Sequence, residues 1–336
     1  KIFSGTLSDW LGKRKALAAL GYGLAAFTKP IFPLATTVSW VVAARLIDRV
    51  GKGIRGAPRD ALVADLTPAH LRGASFGLRQ SLDTVGAFLG PLAAIGLMVL
   101  TGNSYAIVFW IAVVPAFLSF GLMVFGVEEP APKQAEAERP RLRLADARRL
   151  SGAFWSVVAV GAVLTLARFS EAFLVLRAQN VGLSVALVPV VLVVMNVVYA
   201  IAAYPAGVLS DRVGRAGVLA VGIISLAGAD LILAVGETIP LVMLGVVFWG
   251  LHMGLTQGLL ATLVADTAPT ELRGTAFGVF NFVGGVAMLV ASVGAGALWD
   301  IYGPASAFAS GAVVTGAALI GLVATQARSR KAGRAG

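Results

Sequence analysis

The chain has no cysteine, which excludes disulfides, thiol catalysis and thiolate-held metal. Its two histidines, His70 and His252, lie far apart in sequence and form no ligand pattern, so no metal and no cofactor is expected. Charge is scarce: 13% of 336 residues, where a soluble domain carries about a quarter. No G-x-x-x-x-G-K-[ST] loop occurs, which argues against ATP-driven chemistry, and no catalytic triad can be assembled, so an enzyme is not expected. Strand-type alternation is missing too, and with it the signature of a membrane β-barrel. No cleavable signal peptide is evident.

What fills the sequence instead is apolar. Hydrophobic residues make up 58% of it, in long runs rich in Ala, Leu, Val and Gly. About 20 such residues span a bilayer as a helix, the one open structure that satisfies its own backbone there. Runs of that kind cover 16–38, 39–64, 75–100, 104–126, 153–180, 182–206, 217–236, 238–265, 275–299 and 304–326. The expectation is an all-α, multi-pass membrane protein with ten crossings, its opening KIFSG being the tail of an earlier one. A polar stretch with Pro130, Pro132 and Pro140 separates the fourth run from the fifth. The predicted plan is a helical bundle over 1–126, a linker over 127–151 that ends in a short amphipathic helix, a second bundle over 152–327 and a basic tail over 328–336.

The formal net charge of +10 could suggest nucleic acid, but its distribution speaks against that partner. Lys13 to Lys15, Arg72, Arg139 to Arg149, Arg212, Arg215, Arg273 and Arg328 to Arg334 all fall on one side of the predicted crossings. The loops near 36–40, 101–104, 236–238 and 300–303 carry no Lys or Arg. The positive-inside bias makes the basic side, and both ends of the chain, cytoplasmic in a cell membrane of bacterial type.

One crossing breaks the apolar pattern. RLIDRVGKGIRGAPRDALVAD carries Arg45, Asp48, Arg49, Lys52, Arg55, Arg59, Asp60 and Asp65. At about 100° per residue, Arg45 to Asp60 fall within an arc of about 140°, and Leu46, Ile47, Val50, Ile54 and Ala57 take the opposite face. Charges at membrane depth normally face a cavity or a partner. Their surplus is positive, and Arg offers a bidentate grip on carboxylate or phosphate. Arg45, Arg49, Lys52 and Arg55 are therefore candidate contacts for an anionic small molecule. A closed salt-bridge network, or simple wetting of Arg59, Asp60 and Asp65 near the cytoplasmic end, remain alternatives. Lys29 adds a cation on the preceding crossing and either snorkels outward or lines the same path. Further on, Arg168 and Glu171 stand i,i+3 in a predicted helix and can pair. Glu171, Asp83 and Asp48 are candidate proton carriers, Asp230 a weaker one, and Arg168 a further substrate contact. Phe169, Phe173, Trp249 and Phe280 could offer apolar contact, although aromatics in crossings more often face lipid or core.

The chain also repeats itself. Gly5-Thr-Leu-Ser-Asp9-Trp-Leu-Gly12-Lys13 matches Gly207-Val-Leu-Ser-Asp211-Arg-Val-Gly214-Arg215, 202 residues on. Ala64-Asp65-Leu-Thr-Pro68-Ala-His-Leu71-Arg72-Gly73 matches Ala265-Asp266-Thr-Ala-Pro269-Thr-Glu-Leu272-Arg273-Gly274, 201 residues on. Two unlike signatures at one offset indicate duplicated halves, a transporter trait. Where the first half has its cations, the second reads Gly250-Leu-His-Met253-Gly-Leu-Thr256, so the repeated fold does not require them.

These motifs resemble the major facilitator superfamily, whose G-x-L-S-D-R-x-G-R loop links its second and third helices and recurs between the eighth and ninth. The resemblance spans the whole chain. It implies two pseudo-symmetric six-helix bundles around a central cavity, and that about 50 residues forming the family's first two helices precede this sequence. It implies a cytoplasmic gate of Asp9, Lys13 and Asp65, with Asp211, Arg215 and Asp266 as counterpart. Trp10 stands where the family has Arg. Arg49-x-x-Lys52-Gly53 resembles the fourth-helix R-x-x-polar-G pattern, which ties Arg49 to coupling. Gly77, Gly86, Gly90 and Pro91 resemble the fifth-helix antiporter signature, with Ala94-Ile95 in place of paired glycines.

The resulting expectation is a monomeric secondary transporter, a proton-coupled antiporter exporting a small anionic or zwitterionic solute by alternating access in the lipid bilayer. Proton-coupled uptake of an organic or phosphorylated anion, and a non-transporting receptor on the same scaffold, are the alternatives.

Overall fold

A computed structural model describes residues 2–129 and 150–332, with side chains described up to 319. Thirteen helices occupy the described residues: α1 (Ile2–Leu11), α2 (Arg14–Thr28), α3 (Ile31–Leu34), α4 (Val38–Leu66), α5 (Arg72–Leu100), α6 (Tyr105–Phe125), α7 (Gly152–Ala167), α8 (Ala172–Asn180), α9 (Val188–Val213), α10 (Arg215–Val235), α11 (Ile239–Thr267), α12 (Arg273–Tyr302) and α13 (Pro304–Ala332). The amphipathic helix expected at the linker's end, the linker basics Arg139 to Arg149 and the last four residues lie outside the described residues.

Every expected crossing is helical, because long runs of Ala, Leu and Val have no other way to bury their backbone in hydrocarbon. By length and composition, eight segments among the described residues can cross a membrane. α4 has the length, 29 residues, but carries the charged stripe. The apolar part of α13 is the shorter Pro304–Leu319. Prolines sit within several helices, as Pro58 does in α4, Pro91 in α5 and Pro205 in α9.

Two expectations need correction. The run 16–38 holds α2, which stops at Thr28, and the short α3 over Ile31–Leu34. The run 153–180 is not a single helix: α7 stops at Ala167 and α8 begins at Ala172. Arg168 and Glu171 therefore flank a break and do not face each other across one turn of helix. Glu171 takes the N-cap position of α8 without a side-chain capping bond.

The contacts divide the chain into two compact units. One holds Lys1–Pro68, Leu89–Gly152 and Val264–Phe282; the other holds Ala69–Phe88, Ala153–Leu263 and Val283–Gly336. In the first unit α2 lies along α4 with almost no side chain between them. A Cβ on Gly21 would sit 2.6 Å from the carbonyl oxygen of Gly51 and from the Arg55 Cβ. This small-residue seam lets the two backbones touch, the usual means of helix association in lipid. Ala18, Leu62 and Met123 form a small core beside it.

In the second unit an aromatic core joins α7, α8, α11 and α13. Phe169 stacks obliquely on Trp249 at 5.7 Å and on Phe308 at 5.3 Å. Trp249 and Phe308 are wholly buried, and Phe173 nearly so. These aromatics knit the unit together.

Candidate functional site

The cationic stripe of α4 is exposed to a cavity within the first unit. The cavity measures about 370 Å³ and is walled by α2, α4 and α6. Arg45, Arg49, Lys52 and Arg55 line it together with Asp48, Lys29, Tyr22 and Ser119. The close α2–α4 seam sets the geometry: with Gly21 against Gly51, Arg55 and Asp48, about one turn to either side, meet Tyr22 and Lys29. Arg55 lies over the Tyr22 ring, 4.3 Å from its centroid, a geometry in which the ring face holds the guanidinium without neutralising it. Lys29 pairs with Asp48 at 3.2 Å. Lys29 also lies 5.7 Å from the Phe32 ring centroid. On the opposite side of α4, Leu46, Ile47 and Val50 are exposed, as a lipid-facing surface would be.

Five cations and one carboxylate thus share one cavity, a surplus of four positive charges. Arg59 is not part of this set; it pairs with Asp60 at 3.2 Å, lower on α4. The sequence alone leaves Lys29 either snorkelling outward or lining the path, and carries no signal for Tyr22. Both become legible only once α2 is placed against α4.

The other candidates fall elsewhere. Arg168 belongs to the second unit, where its Nη1 meets Met253 Sδ. Asp83 pairs with Arg79 at 3.0 Å and is about half exposed. Glu171 is partly buried at the α7–α8 break. Gly77 packs within the second unit against the backbone of Ala203 and Gly207 on α9. A Cβ on Gly86 or Gly90 would meet nothing within 4 Å.

The duplicated loop motifs build a second set of contacts. Asp9 accepts hydrogen bonds from the Gly274 amide (2.9 Å), the Thr275 amide (2.6 Å) and the Thr275 hydroxyl (2.8 Å), and so caps α12. Asp211 does the same for α5, accepting from the Gly73 and Ala74 amides at 3.0 and 2.8 Å. In each case a carboxylate meets the free N–H groups and positive dipole end of a helix. The repeat explains its own glycines. A Cβ on Gly5 would collide with the Gly274 carbonyl, and one on Gly207 with the Gly73 carbonyl. Gly12 and Gly214 turn the chain at φ +63° and +94°, where L side chains are strained.

The cation inside the first-half cluster is Arg14, a residue that the repeated loop motif does not single out. Arg14 bonds the Asp65 carboxylate, reaches Asp9 at 3.3 Å and donates to the Thr270 carbonyl at 2.6 Å. Arg273 holds the other oxygen of Asp65 at 2.6 Å. Lys13 is exposed at the N-cap of α2. Burial pushes the Asp9 carboxyl above the usual carboxylate range, against the opposing pull of Arg14 and of the bonds from Thr275 and Gly274. In the second-half copy Arg215 approaches Asp211 at 3.6 Å, and Asp266 is exposed.

Comparison with known proteins follows the same lines. A family model described as Major Facilitator Superfamily matches residues 1–292 and 168–335. An uncharacterized MFS-type transporter of Methanocaldococcus jannaschii is 31% identical over 319 residues, covering 93% of this chain and 79% of that protein. The crystal structure of the human organic anion transporter MFSD10 superposes with a TM-score of 0.79 at 19% identity, covering 96% of this chain and 79% of the other. The Escherichia coli fucose:proton symporter FucP gives 0.79 at 16% identity, covering 96% and 86%. With its helical, multi-pass architecture and its duplicated loop motifs, the chain belongs to the Major Facilitator Superfamily and is a membrane transporter rather than an enzyme.

Proposed function

We propose that this transporter is a monomeric proton-coupled antiporter that exports a small anionic or zwitterionic solute by alternating access. The observation that carries the reading is the cavity on α4, with five cations against the single carboxylate Asp48. A volume of about 370 Å³ suits a small metabolite, since ligand pockets run from about 300 to 1,000 Å³. Cations crowded at membrane depth repel one another, and an anion relieves that repulsion while taking bidentate bonds from Arg45, Arg49 or Arg55.

Coupling follows from competition for those cations. Asp48 holds Lys29; once protonated it releases Lys29 to the solute, and once deprotonated it reclaims it. Asp83 beside Arg79 and Glu171 at the α7–α8 break are the other proposed proton carriers. The loop clusters around Asp9 and Asp211 act as the gate. The charge bias of the loops supports a cytoplasmic position for them in a cell membrane, and for the chain ends.

The test is anion flux in proteoliposomes under an imposed pH gradient. Export by proton exchange predicts accumulation against the anion gradient when the proton gradient runs the opposite way. It also predicts loss of that coupling in an Asp48→Asn, Asp83→Asn, Glu171→Gln triple variant. Flux that ignores the pH gradient contradicts the proposal. The same cavity would serve uptake of an organic or phosphorylated anion, which everted and right-side-out vesicles separate.

A further inference from the structure

The cationic cavity of the first unit has two ends. α2 and α4 run antiparallel along it: Tyr22 meets Arg55, while Lys29, further along α2, meets Asp48, further back on α4. At one end Arg45 and Arg49 stand one turn apart on α4, beside the Lys29–Asp48 pair. At the other end stand Lys52 and Arg55, with Arg55 on the Tyr22 ring. The midpoints of these two cation pairs lie about 10 Å apart along the helix axis, from the rise of an α-helix.

The rest of the lining narrows what can sit there. Its one carboxylate, Asp48, is already paired with Lys29 at 3.2 Å, and no other lining side chain bears negative charge. Its one aromatic ring, Tyr22, already holds Arg55. A cationic group on the solute would therefore meet neither a free carboxylate nor a free ring, the two surfaces that hold ammonium groups. The apolar lining consists of Ala25, Ala26 and Ala116, which offer one methyl each and cannot wrap a hydrocarbon tail. Among the described residues Arg45, Arg49 and Lys52 form no ion pair. One negative charge would satisfy one pair of cations and leave the other to its own repulsion at membrane depth.

Resting on the anion-transport reading above, we infer that the solute is a small hydrophilic dianion with an anionic group at each end and no cationic group, the class to which the dicarboxylates belong. Arg45 and Arg49 grip one end, and Lys52 and Arg55 grip the other. Each anionic group then takes charge-assisted hydrogen bonds from two side chains, and neither cation pair is left unanswered. A zwitterion fits poorly, because its ammonium group would join five cations while Asp48 is engaged with Lys29. An ion with both charges at one point, such as inorganic phosphate, reaches only one of the two pairs.

The test is isothermal titration of the purified full chain in detergent, at slightly alkaline pH and constant ionic strength. The probes are glutarate, pentanoate, glutamate and inorganic phosphate. Pentanoate is glutarate without one terminal carboxylate, and glutamate is glutarate with an added ammonium group. Glutarate binds about tenfold or more tightly than each of the other three, the effect of one lost or opposed charge-assisted contact. Arg45→Gln and Arg55→Gln each weaken glutarate about tenfold but leave pentanoate nearly unchanged, because a monoanion moves to the pair that remains. Pentanoate or phosphate binding as tightly as glutarate, with all of them weakened by Arg49→Ala, leaves anion transport standing and overturns the two-ended dianion. Glutamate binding as tightly as glutarate overturns it as well. No binding of any of the four overturns the proposal, and binding of organic cations in their place overturns the anion reading with it. If the Arg45 and Arg55 variants do not fold, the wild-type series decides alone.

Discussion

At the scale of residues, the charged side chains divide into those already satisfied and those held ready. Arg14, Asp9, Asp65 and Arg273 form a closed cluster in which each carboxylate has a cation, Asp9 also accepts from helix-end amides, and both arginines donate to main-chain carbonyls. Breaking such a buried pair costs about 3–5 kcal/mol, because the surviving charge is left without its partner. Arg14→Ala is therefore expected to lower the thermal unfolding temperature sharply. Lys13→Ala, at an exposed position, is expected to change stability by less than about 0.5 kcal/mol. Asp9→Ala removes the cap of α12 and should cost about 0.5–2 kcal/mol. The cavity residues behave in the opposite way. Arg45, Arg49, Lys52 and Arg55 share one carboxylate, itself claimed by Lys29, so removing one of them relieves repulsion. Arg49→Ala is expected to leave the unliganded protein as stable as the wild type, or more so, while weakening anion binding about tenfold or more. Isothermal titration against a dicarboxylate would register the difference.

At the scale of elements, α4 was the most legible part of the sequence, because a helical period and eight charged residues fix its polar face without further information. What the period could not supply was the neighbour. That Lys29 and Tyr22 join the cavity depends on the Gly21–Gly51 seam, and a glycine in an apolar run looks the same whether it packs or not. Gly21→Leu is accordingly expected to push α2 off α4, destabilise the first unit and abolish anion binding. Gly86→Ala, where a Cβ meets open space, is expected to be silent in both measurements. The break between α7 and α8 was not legible at all. Residues 153–180 contain neither proline nor a glycine near 168, so no breaker signal marked it. The choice between Lys13 and Arg14 was hidden for a related reason: three consecutive basic residues start α2, and only the direction of that helix decides which one turns inward.

At the scale of the whole molecule, the duplication was readable from two motifs at one offset, and the structure supplies its physical reason. Asp9 caps the helix that starts at Arg273, and Asp211 caps the helix that starts at Arg72, so each half of the sequence terminates an element of the other. Neither loop motif can drift without the partner that it meets. The cationic cavity breaks this symmetry. Its counterpart stretch on α11 buries Trp249, His252, Met253 and Thr256 instead of presenting charge. One half has a packed core where the other lines a cavity with cations, and the proposed anion transport stands on that difference. The most direct test is a thermal-shift screen of the purified protein against small organic and phosphorylated anions at constant ionic strength, repeated on Arg49→Ala and Lys52→Ala. A subset of anions should stabilise the wild type and lose most of that effect in both variants. Stabilisation by organic cations alone, or by anions equally in all three proteins, would contradict the account.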